Sequence, residues 1–375
     1  MHRYDFVRQL NSPGGDRKRS RAMHVDTPLL LLLLALCGIG LTVLYSASGE
    51  SIFYVKRQAT FMLFGLIVMI AFAQLKPRFW ERWSLFIYTA GLLSLVLVLF
   101  FGVGAKGAQR WLDFGVTRFQ PSELMKLAVP LMVSAYLSNR YLPPSFKHIL
   151  AATLATMLPV FLVAHQPDLG TSVIIFSSGF FAIFLAGLGK RYLISTGLLV
   201  IAAIPILWFY VLLDYQKQRV LTLLSPEQDK LGAGWNIIQS TTAIGSGGWN
   251  GKGWTEGTQS QLNFLPESHT DFIIAVLAEE FGLIGVMTLM LVYLLVIARC
   301  MFIAINAQTM FSRLVAGTIG LTFFVYIFVN MGMVSGILPV VGAPLPFISY
   351  GGSAIVTLFI GFGILMAIST QPKRI

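Results

Sequence analysis

The feature that most constrains this chain is a run of roughly 20 mostly apolar residues that recurs about ten times along it. In lipid, only a helix satisfies its own backbone hydrogen bonds over such a run, so each run predicts a transmembrane helix. The composition agrees, because 56% of the 375 residues are hydrophobic and 11% are charged, whereas soluble domains carry about 25% charged residues. We therefore predict an all-α polytopic membrane protein with spans at residues 28–46, 54–74, 84–103, 121–138, 148–163, 171–188, 192–213, 272–299, 313–335 and 348–368.

Charge and cysteine content exclude several other classes of protein. The formal net charge is +11, but the cations flank apolar runs instead of forming one basic face of a soluble nucleic-acid-binding module. Cys37 and Cys300 lie in or beside apolar runs, so neither a disulfide framework nor a cysteine-based metal site is available. Residues 1–26 are basic and polar, and we expect a flexible cytoplasmic tail there. We treat residues 27–375 as one membrane domain.

The positions of Lys and Arg predict the orientation of the spans, because these residues accumulate on the cytoplasmic side. They cluster in the N-terminal tail and in the loops at 76–82, 140–147, 190–191, 299–313 and 373–374. Both termini are then cytoplasmic, and residues 214–271, between helices 7 and 8, form a large extracytoplasmic loop. The last loop, 336–353, holds too many Pro and Gly residues for a lipid-exposed helix, so we expect it to be re-entrant or packed over the other helices.

Asp271 ends the large extracytoplasmic loop, immediately before the apolar run that begins at Phe272. A carboxylate at this boundary between water and lipid suits chemistry on a lipid-linked substrate. An acidic residue is also common at a helix N-terminus, where it accepts hydrogen bonds from free N–H groups. From these residues alone, the helix cap is the simpler interpretation.

Charged residues also occur within the predicted spans, where they need partners or water. Glu123 and Lys126 share one helix face, and they form either a local pair or a pair from which Lys126 reaches Asp271 and keeps it ionised. Glu279 and Glu280 lie about two turns into the eighth span. For these two residues we favour a structural polar network over catalysis.

Cationic and glycine-rich segments on the outer side suit a phosphate-bearing substrate, since Arg pairs bidentately with phosphate oxygens. Headgroup contact or snorkelling is the alternative. The stretch at 245–253 lacks phosphate-loop spacing, so we interpret it as loop geometry. The outer cations are Lys106, Arg110, Arg118, Arg219 and Lys252.

The histidines and residues 349–353 are the remaining features that could indicate metal binding or nucleophilic catalysis. His165 and His269 lie far from any cysteine or second close histidine, so no zinc arrangement is recognisable. A divalent cation, Mg²⁺ or Mn²⁺, bound by carboxylates and a lipid pyrophosphate is left open. Residues 349–353, Ser-Tyr-Gly-Gly-Ser, lack the G-x-S-x-G pattern and an evident histidine base, so packing of the last loop is the expected use.

Several motifs in a fixed order carry a resemblance to a known family. Together they resemble the SEDS family (shape, elongation, division and sporulation proteins), and most closely its RodA branch, although the FtsW branch shares many of them. The resemblance covers nearly the whole chain. It rests on Gly107-Ala-Gln-Arg110-Trp111, Gln120-Pro-Ser-Glu123 with Lys126, Gln239-Ser, Ala243-Ile-Gly-Ser-Gly-Gly248, Gly251-Lys-Gly-Trp254, Phe264-Leu-Pro-Glu-Ser-His-Thr-Asp271, and Asn330 followed by Gly336, Pro339, Gly342 and Ser349-Tyr-Gly-Gly-Ser353.

This resemblance implies a ten-helix peptidoglycan glycosyltransferase that polymerises lipid II at the outer face of the cytoplasmic (inner) membrane. It further implies a class B penicillin-binding protein transpeptidase as partner within the elongation machinery. Asp271 matches the family's essential Asp, Lys126 matches the Lys implicated as its salt-bridge partner, and Glu123 lies nearby. Our candidate substrate-binding residues are Lys106, Arg110, Gln120, Ser122, Arg219, Lys252, His269, Thr270 and Ser349.

The mechanism expected from this resemblance makes Asp271 the general base for the sugar 4-hydroxyl of an incoming lipid II. That hydroxyl attacks the anomeric carbon of the growing lipid-linked strand, and undecaprenyl pyrophosphate leaves. The alternative is a lipid II flippase, in which Lys126, Glu123 and the Glu279–Glu280 pair line a path. A scaffold that only activates the transpeptidase would leave Asp271 and Lys126 without a purpose.

Overall fold

All ten predicted spans are helical in the structure, which is a computed structural model. It describes residues 24–105, 108–113, 115, 118–211, 214–229, 232–261 and 267–371. Eight described helices are long and apolar enough to cross a membrane, and two shorter or more polar helices fill the fourth and sixth positions. The all-α polytopic fold is therefore confirmed. Most of the predicted N-terminal tail, residues 1–23, lies outside the described residues.

Helices are numbered here in chain order, and the end of the bundle that carries α8, α9 and α10 is called the outer end, after the predicted orientation. Three further helices, α8 (Asp214–Leu224), α9 (Ala233–Gly247) and α10 (Thr258–Gln261), belong to the large loop. The spanning helices are α1 (Thr27–Ala47), α2 (Ile52–Ala73), α3 (Pro77–Phe101), α4 (Pro121–Ser138), α5 (Phe146–His165), α6 (Leu169–Leu185), α7 (Lys190–Ile206), α11 (Ile273–Asn306), α12 (Met310–Val334) and α13 (Gly352–Ser369).

Two helix starts differ from the sequence prediction by four residues or more. The third span was predicted from Ser84, but α3 begins at Pro77, because Pro is favoured in the first turn of a helix and a helix can continue beyond the hydrocarbon into the interface. The last span was predicted from Ile348, but α13 begins only at Gly352. Residues 348–351 instead belong to the last outer loop.

The bundle is organised around α12, which is the most deeply buried of the long apolar helices. It packs against α4, α6 and α11, while α13 packs along α2. In contrast, α7 stands apart from the others, and none of its apolar window is buried within the described protein. The candidate site residues described below lie on α4 and α12 and on the loops at the outer end.

Two of the outer loops form defined structure in their described residues. Between α3 and α4 the chain forms a small antiparallel sheet in the order β1 (Val103–Ala105), β2 (Ala108–Asp113) and β3 (Arg118–Phe119). Between α12 and α13 the second half of the last outer loop, residues 343–349, is mostly buried, with Phe347 and Ile348 at 0% exposure. The carbonyl of Phe347 lies so close to Gly40 of α1 that a Cβ there would approach it to 2.3 Å. The packed arrangement predicted for the last loop is therefore confirmed.

The helix that follows Asp271, α11, is interrupted at Gly282, whose φ of 64° and ψ of −161° are not helical. Such a break leaves backbone groups without intrahelical partners. Here the loop after α9 supplies them: the carbonyls of Glu279 and Glu280 accept from the N–H groups of Lys252 and Gly253 at 3.0 and 3.1 Å. The freed N–H groups are likewise satisfied, with Leu283 donating to Gly248 at 2.9 Å and Ile284 to Trp249 at 3.2 Å.

Three glycines make this backbone pairing sterically feasible. A Cβ on Gly282 would lie 2.3 Å from the Gly251 nitrogen, and one on Gly251 would lie 2.0 Å from the Glu280 carbonyl. A Cβ on Gly247 would lie 2.0 Å from the Ala278 carbonyl. The glycine-rich stretch at 245–253 thus serves helix–loop contact, which agrees with its interpretation as loop geometry.

The inner end of the bundle is joined by one buried carboxylate, Asp26, which precedes α1. It accepts from the backbone N–H of Leu29 at 3.1 Å, from two nitrogens of Arg299 on α11 at 3.1 and 2.7 Å, and from Ser369 on α13 at 2.6 Å. Burial alone raises the pKa of Asp26, but these hydrogen bonds outweigh it and hold the pKa below its ordinary value. Asp26 therefore connects the first, eighth and tenth spans while remaining ionised.

Candidate active site

Asp271 lies in a turn, residues 267–272, that leads into α11 at the outer end of the bundle. Phe272 occupies the N-cap position and cannot cap the helix with its side chain, so Asp271 is one residue outside the cap. One carboxylate oxygen of Asp271, Oδ2, faces the last outer loop, where a Cβ on Gly342 would lie 3.5 Å from it. The backbone carbonyl of Asp271 accepts from the Asn330 amide on α12 at 2.9 Å. The carboxylate is half-buried and lies between two elements.

Glu123 and Lys126 form an ion pair in the first turns of α4, which begins after Pro121. Lys126 Nζ donates to Glu123 Oε1 at 2.6 Å, and both side chains are buried. The Lys126 ammonium also lies 5.2 Å from the centre of the Tyr326 ring on α12, a distance at which a cation is attracted to an aromatic ring. Glu123 Oε2 accepts no hydrogen bond from the described residues.

The direct ion pair that we considered between Lys126 and Asp271 is not formed within the described part of the chain. The salt bridge of Lys126 is with Glu123, while Asp271 contacts the Gly342 segment and Asn330. A residue three positions away on the same helix reaches Lys126 with little loss of side-chain freedom, whereas Asp271 belongs to a separate turn. Of the two alternatives left open by the sequence, the structure forms the local pair.

A second chain of contacts connects α4 to the segment beside Asp271. Gln120, just before α4, donates to Asp168 Oδ2 at 3.2 Å, and Asp168 Oδ1 accepts from the N–H of Thr171 at the start of α6. At that helix end, a Cβ on Gly170 would lie 2.7 Å from the Val341 carbonyl and 3.3 Å from the Gly342 carbonyl. Gln120 is therefore connected to the segment that faces the Asp271 carboxylate, because Asp168 and Gly170 at the start of α6 contact both.

Two arginines among the candidate residues, Arg110 and Arg219, donate to backbone carbonyls. Arg110, on β2, donates from Nε to Gln166 at 3.3 Å and from Nη2 to the adjacent carbonyl of Pro167. Arg219, on α8, donates from Nη1 to Val340 at 3.0 Å, two residues before Gly342. Both guanidinium groups are thus held at the outer end, and Arg110 carries further N–H donors than its two carbonyl contacts use.

The remaining candidates differ in where the structure places them. His269 packs near Tyr54, with ring centres 5.3 Å apart, and its backbone carbonyl accepts from the backbone N–H of Tyr350 at 2.9 Å. Thr270 donates from Oγ1 to Glu267 Oε2 at 2.9 Å. Ser349 donates to the Thr270 carbonyl at 2.6 Å and accepts from the Leu345 N–H at 2.8 Å, so it joins the last loop to the turn that holds Asp271.

Of the last three candidates the structure describes two, Lys252 and Ser122, and neither forms a hydrogen bond within this group of contacts. Lys252 pairs with Glu279 Oε1 at 2.7 Å and with Thr258 at 2.8 Å, so it holds the loop against α11 at the Gly282 break. Ser122 is buried in the first turn of α4 at 2% exposure. Lys106 lies outside the described residues.

Glu279 and Glu280 form the structural network that we favoured for them. Glu279 accepts from Lys252, from Thr258 at 3.1 Å and from the N–H of Gln259 at 3.0 Å. Glu280 accepts from Ser46 at the end of α1. These contacts hold the large loop and α1 against α11, about two helical turns from Asp271.

Sequence reasoning gave no role to Asp168, Tyr326 or Asn330, which the structure places among the site residues. Asn330 and Tyr326 are spaced four apart on α12, so they share one helix face. A buried polar residue within a span is itself a signal of function or of a specific contact. That signal was present for Asn330, but its partners depend on packing between segments distant in sequence.

No group of three or more His, Cys, Asp or Glu side chains within the described ranges comes together in a way that could hold a metal ion. Asp271 and Glu123 belong to no such group, and Lys126 already neutralises Glu123. The described side chains therefore do not by themselves supply a divalent cation site.

Comparison with known proteins adds relatives that cover nearly the full chain. The family model for the FtsW/RodA/SpoVE cell cycle proteins matches residues 27–374. The chain is 53% identical to the peptidoglycan glycosyltransferase MrdB of Escherichia coli K12, over 94% of this chain and 95% of that protein. It is 36% identical to a probable peptidoglycan glycosyltransferase FtsW of Geobacter metallireducens, over 93% and 95%.

Two solved structures share the fold. One is a chain of a peptidoglycan synthase complex, described in terms of the coordination of polymerization and crosslinking, with a TM-score of 0.81, 31% identity, and coverage of 92% of this chain and 97% of that chain. The other is the rod shape determining protein RodA of Thermus thermophilus, with a TM-score of 0.70, 28% identity, and coverage of 92% and 96%.

Proposed function

The chain belongs to the FtsW/RodA/SpoVE family, and we infer that it is a peptidoglycan glycosyltransferase of the RodA type that serves cell elongation and rod shape. The identity to MrdB, 53%, exceeds the 36% identity to the FtsW protein, which supports the RodA branch. We propose that it polymerises lipid II and that its active centre is the outer-end group around Asp271. The observation that carries this proposal is the Asp271 carboxylate, half-buried against Gly342 at the start of α11.

In the proposed reaction, Asp271 is the general base. The 4-hydroxyl oxygen of the incoming lipid II attacks the anomeric carbon of the lipid-linked strand while its proton passes to the Asp271 carboxylate. The bond from that carbon to the pyrophosphate oxygen breaks, and undecaprenyl pyrophosphate leaves with the electron pair. The position of Asp271 supports this role, because it lies beside the positive N-terminal end of α11, which favours the ionised carboxylate.

Cationic groups at the outer end would stabilise the charge that develops on the leaving pyrophosphate. Fixed donors aimed at developing charge are frequently the largest contribution to catalysis. Arg110 suits this task because its two carbonyl contacts orient the guanidinium and leave other donors for phosphate oxygens. The guanidinium of Arg219 is oriented by its contact with the Val340 carbonyl. A divalent cation, if the reaction uses one, would need the pyrophosphate oxygens as its main ligands.

We propose that the Glu123–Lys126 pair places a fixed ammonium near the reacting groups. Changing Lys126 to Met would leave the Glu123 carboxylate buried without its cation, and we expect a loss of about 3–5 kcal/mol in the free energy of unfolding. The double variant Lys126→Met with Glu123→Gln should recover much of that stability, because no uncompensated charge remains. If the ammonium serves the reaction, the double variant stays inactive. Thermal unfolding and lipid II polymerisation, measured on both variants, separate the roles, and a stable, active double variant would assign the pair to folding alone.

Partner and location follow from the same family membership. A related chain belongs to a peptidoglycan synthase complex in which polymerization and crosslinking are coordinated. We propose that this chain works with a class B penicillin-binding protein transpeptidase within the elongation machinery. We also propose the cytoplasmic (inner) membrane as its location, with the outer end and Asp271 on the extracytoplasmic face.

The experiment that tests the function separates polymerisation from transport. Purified protein with its transpeptidase partner is placed in proteoliposomes that carry labelled lipid II, and both glycan strands and lipid II translocation are measured. We expect glycan strands and release of undecaprenyl pyrophosphate, without enhanced translocation relative to protein-free vesicles. Translocation without strand formation would contradict the proposal and support the flippase alternative.

A further inference from the structure

Asn330 is a buried amide on α12 whose two hydrogens are both used. Its Nδ2 donates to the backbone carbonyl of Asp271 at 2.9 Å and to that of Ala343 at 2.7 Å. The side chain is 0% exposed, and its Oδ1 accepts no hydrogen bond from the described residues. The geometry therefore depends on the donor half of the amide, which a carboxylate of the same shape would lack.

The two carbonyls belong to the two elements that surround the Asp271 carboxylate. Asp271 precedes α11, so no helical hydrogen bond fixes its carbonyl. Ala343 follows Gly342, whose Cβ position lies 3.5 Å from Asp271 Oδ2. The Asn330 amide thus fixes the position of the Asp271 backbone relative to the segment that the Asp271 carboxylate faces.

The same face of α12 also contacts the Glu123–Lys126 pair. Tyr326 lies four residues before Asn330, one helical turn or about 6 Å along the axis, and its ring centre is 5.2 Å from Lys126 Nζ. Tyr326 and Asn330 both lie within α12, so this helix contacts both charged parts of the site through adjacent turns.

From these contacts we infer that Asn330 is a positioning residue for catalysis: it holds the Asp271 carboxylate at a set place relative to the Lys126 ammonium, with α12 as the common support. This inference rests on the proposed role of Asp271 as general base. A misplacement of about 1 Å in a reacting group can cost roughly 100-fold in rate. Asn330 therefore affects turnover through the orientation of Asp271, without touching the substrate.

A purely structural role for Asn330 is the alternative, since a buried amide that satisfies two carbonyls also stabilises the fold. The chain offers a matched control in Gln58 of α2. Gln58 is equally buried, and it donates to the Ser349 carbonyl at 2.9 Å and accepts from the Gly351 N–H at 3.3 Å. It holds the same last loop without contacting Asp271, so Gln58→Glu and Asn330→Asp are the same chemical change at two positions in one loop environment.

The experiment compares these variants with the wild-type protein in complex with its transpeptidase partner, using thermal unfolding and the kcat and KM of lipid II polymerisation per folded protein. For Asn330→Asp we expect kcat to fall about 10- to 100-fold with KM changed by less than about threefold, and for Gln58→Glu a similar loss of thermal stability with kcat within about threefold. A wild-type kcat for folded Asn330→Asp, a rise in KM alone, or an equal fall in kcat for Gln58→Glu would overturn the inference.

If Asn330→Asp does not fold, Asn330→Gln replaces it, since the longer amide keeps its donors but shifts the Asp271 turn. The same fall in kcat is expected, and an unchanged kcat overturns the inference. Wild-type protein that forms no glycan strands would instead refute the proposed function.

Discussion

Asp271→Asn protein is expected to form glycan strands about 10²- to 10⁴-fold more slowly than the wild type, the range that a positioned general base contributes. The substitution preserves size and removes the ability to take a proton. Because the side chain is half-buried and the backbone carbonyl still accepts from Asn330, folding and lipid II binding should remain close to wild type. The measurement is the rate of polymer formation from labelled lipid II with the transpeptidase partner present.

Asp271→Glu is the matched control for this prediction, because it keeps the carboxylate but extends it by one methylene toward the Gly342 segment. We expect activity between those of the wild type and Asp271→Asn. A wild-type rate for Asp271→Asn would exclude the general-base role. Equal inactivity of both variants, with a lowered unfolding temperature, would assign Asp271 to folding.

Gly282→Ala is expected to destabilise the protein by about 3 kcal/mol or more, by combining a forbidden backbone conformation with overpacking. Gly282 has φ 64° and ψ −161°, a region open essentially to glycine. Its added methyl group would also lie 2.3 Å from the Gly251 nitrogen and 2.6 Å from the Trp249 carbonyl. Both contacts are with backbone atoms that are already hydrogen-bonded, because the Trp249 carbonyl accepts from Ile284 of α11 and the Gly251 N–H donates to Gly247. No flexible side chain can therefore move aside.

The control for Gly282→Ala is Gly245→Ala on α9, where no atom lies within 4 Å of the added Cβ. Alanine favours a helix over glycine by about 1 kcal/mol, so this variant should unfold at or slightly above the wild-type temperature. The measurement is thermal unfolding of both variants in the same detergent. Equal unfolding temperatures would show that the break in α11 can close into a continuous helix.

The ten spans were predictable because the bilayer imposes a length and an apolar composition on every crossing helix. The buried last loop was predictable for a related reason, since a segment so rich in Pro and Gly has no stable place in lipid. Helix ends were less predictable: α3 begins seven residues before its expected start, at Pro77, where interfacial water and headgroups replace hydrocarbon.

The break in α11 could not be predicted from the sequence. Glycine is common in transmembrane helices, and nothing local distinguishes Gly282 from Gly285 three residues later. The difference lies in the loop that approaches only Gly282, which pairs Gly248 and Trp249 with Leu283 and Ile284. That approach brings together segments more than 30 residues apart, and it depends on the tertiary fold.

The candidate site was predictable in part. The sequence placed Asp271 at the outer end and Glu123 and Lys126 on one helix face, and the structure has both features. The sequence did not determine whether Lys126 pairs with Glu123 or reaches Asp271, because both partners are chemically equivalent carboxylates. The structure forms the local pair at 2.6 Å and connects Asp271 to α12 through Asn330 instead, a contact between backbone and side chain that no charge pattern indicates.

The central claim is that the Asp271 carboxylate removes the proton from the acceptor sugar. The most direct test is a structure of the wild-type protein with its transpeptidase partner, bound to lipid II as acceptor and to an unreactive donor analogue. Its critical measurement is the distance from the acceptor 4-hydroxyl oxygen to the nearest Asp271 carboxylate oxygen. We predict about 2.6–3.2 Å, or one bridging water between them. A 4-hydroxyl held against a different side chain, with Asp271 beyond the reach of a single water, would contradict the account.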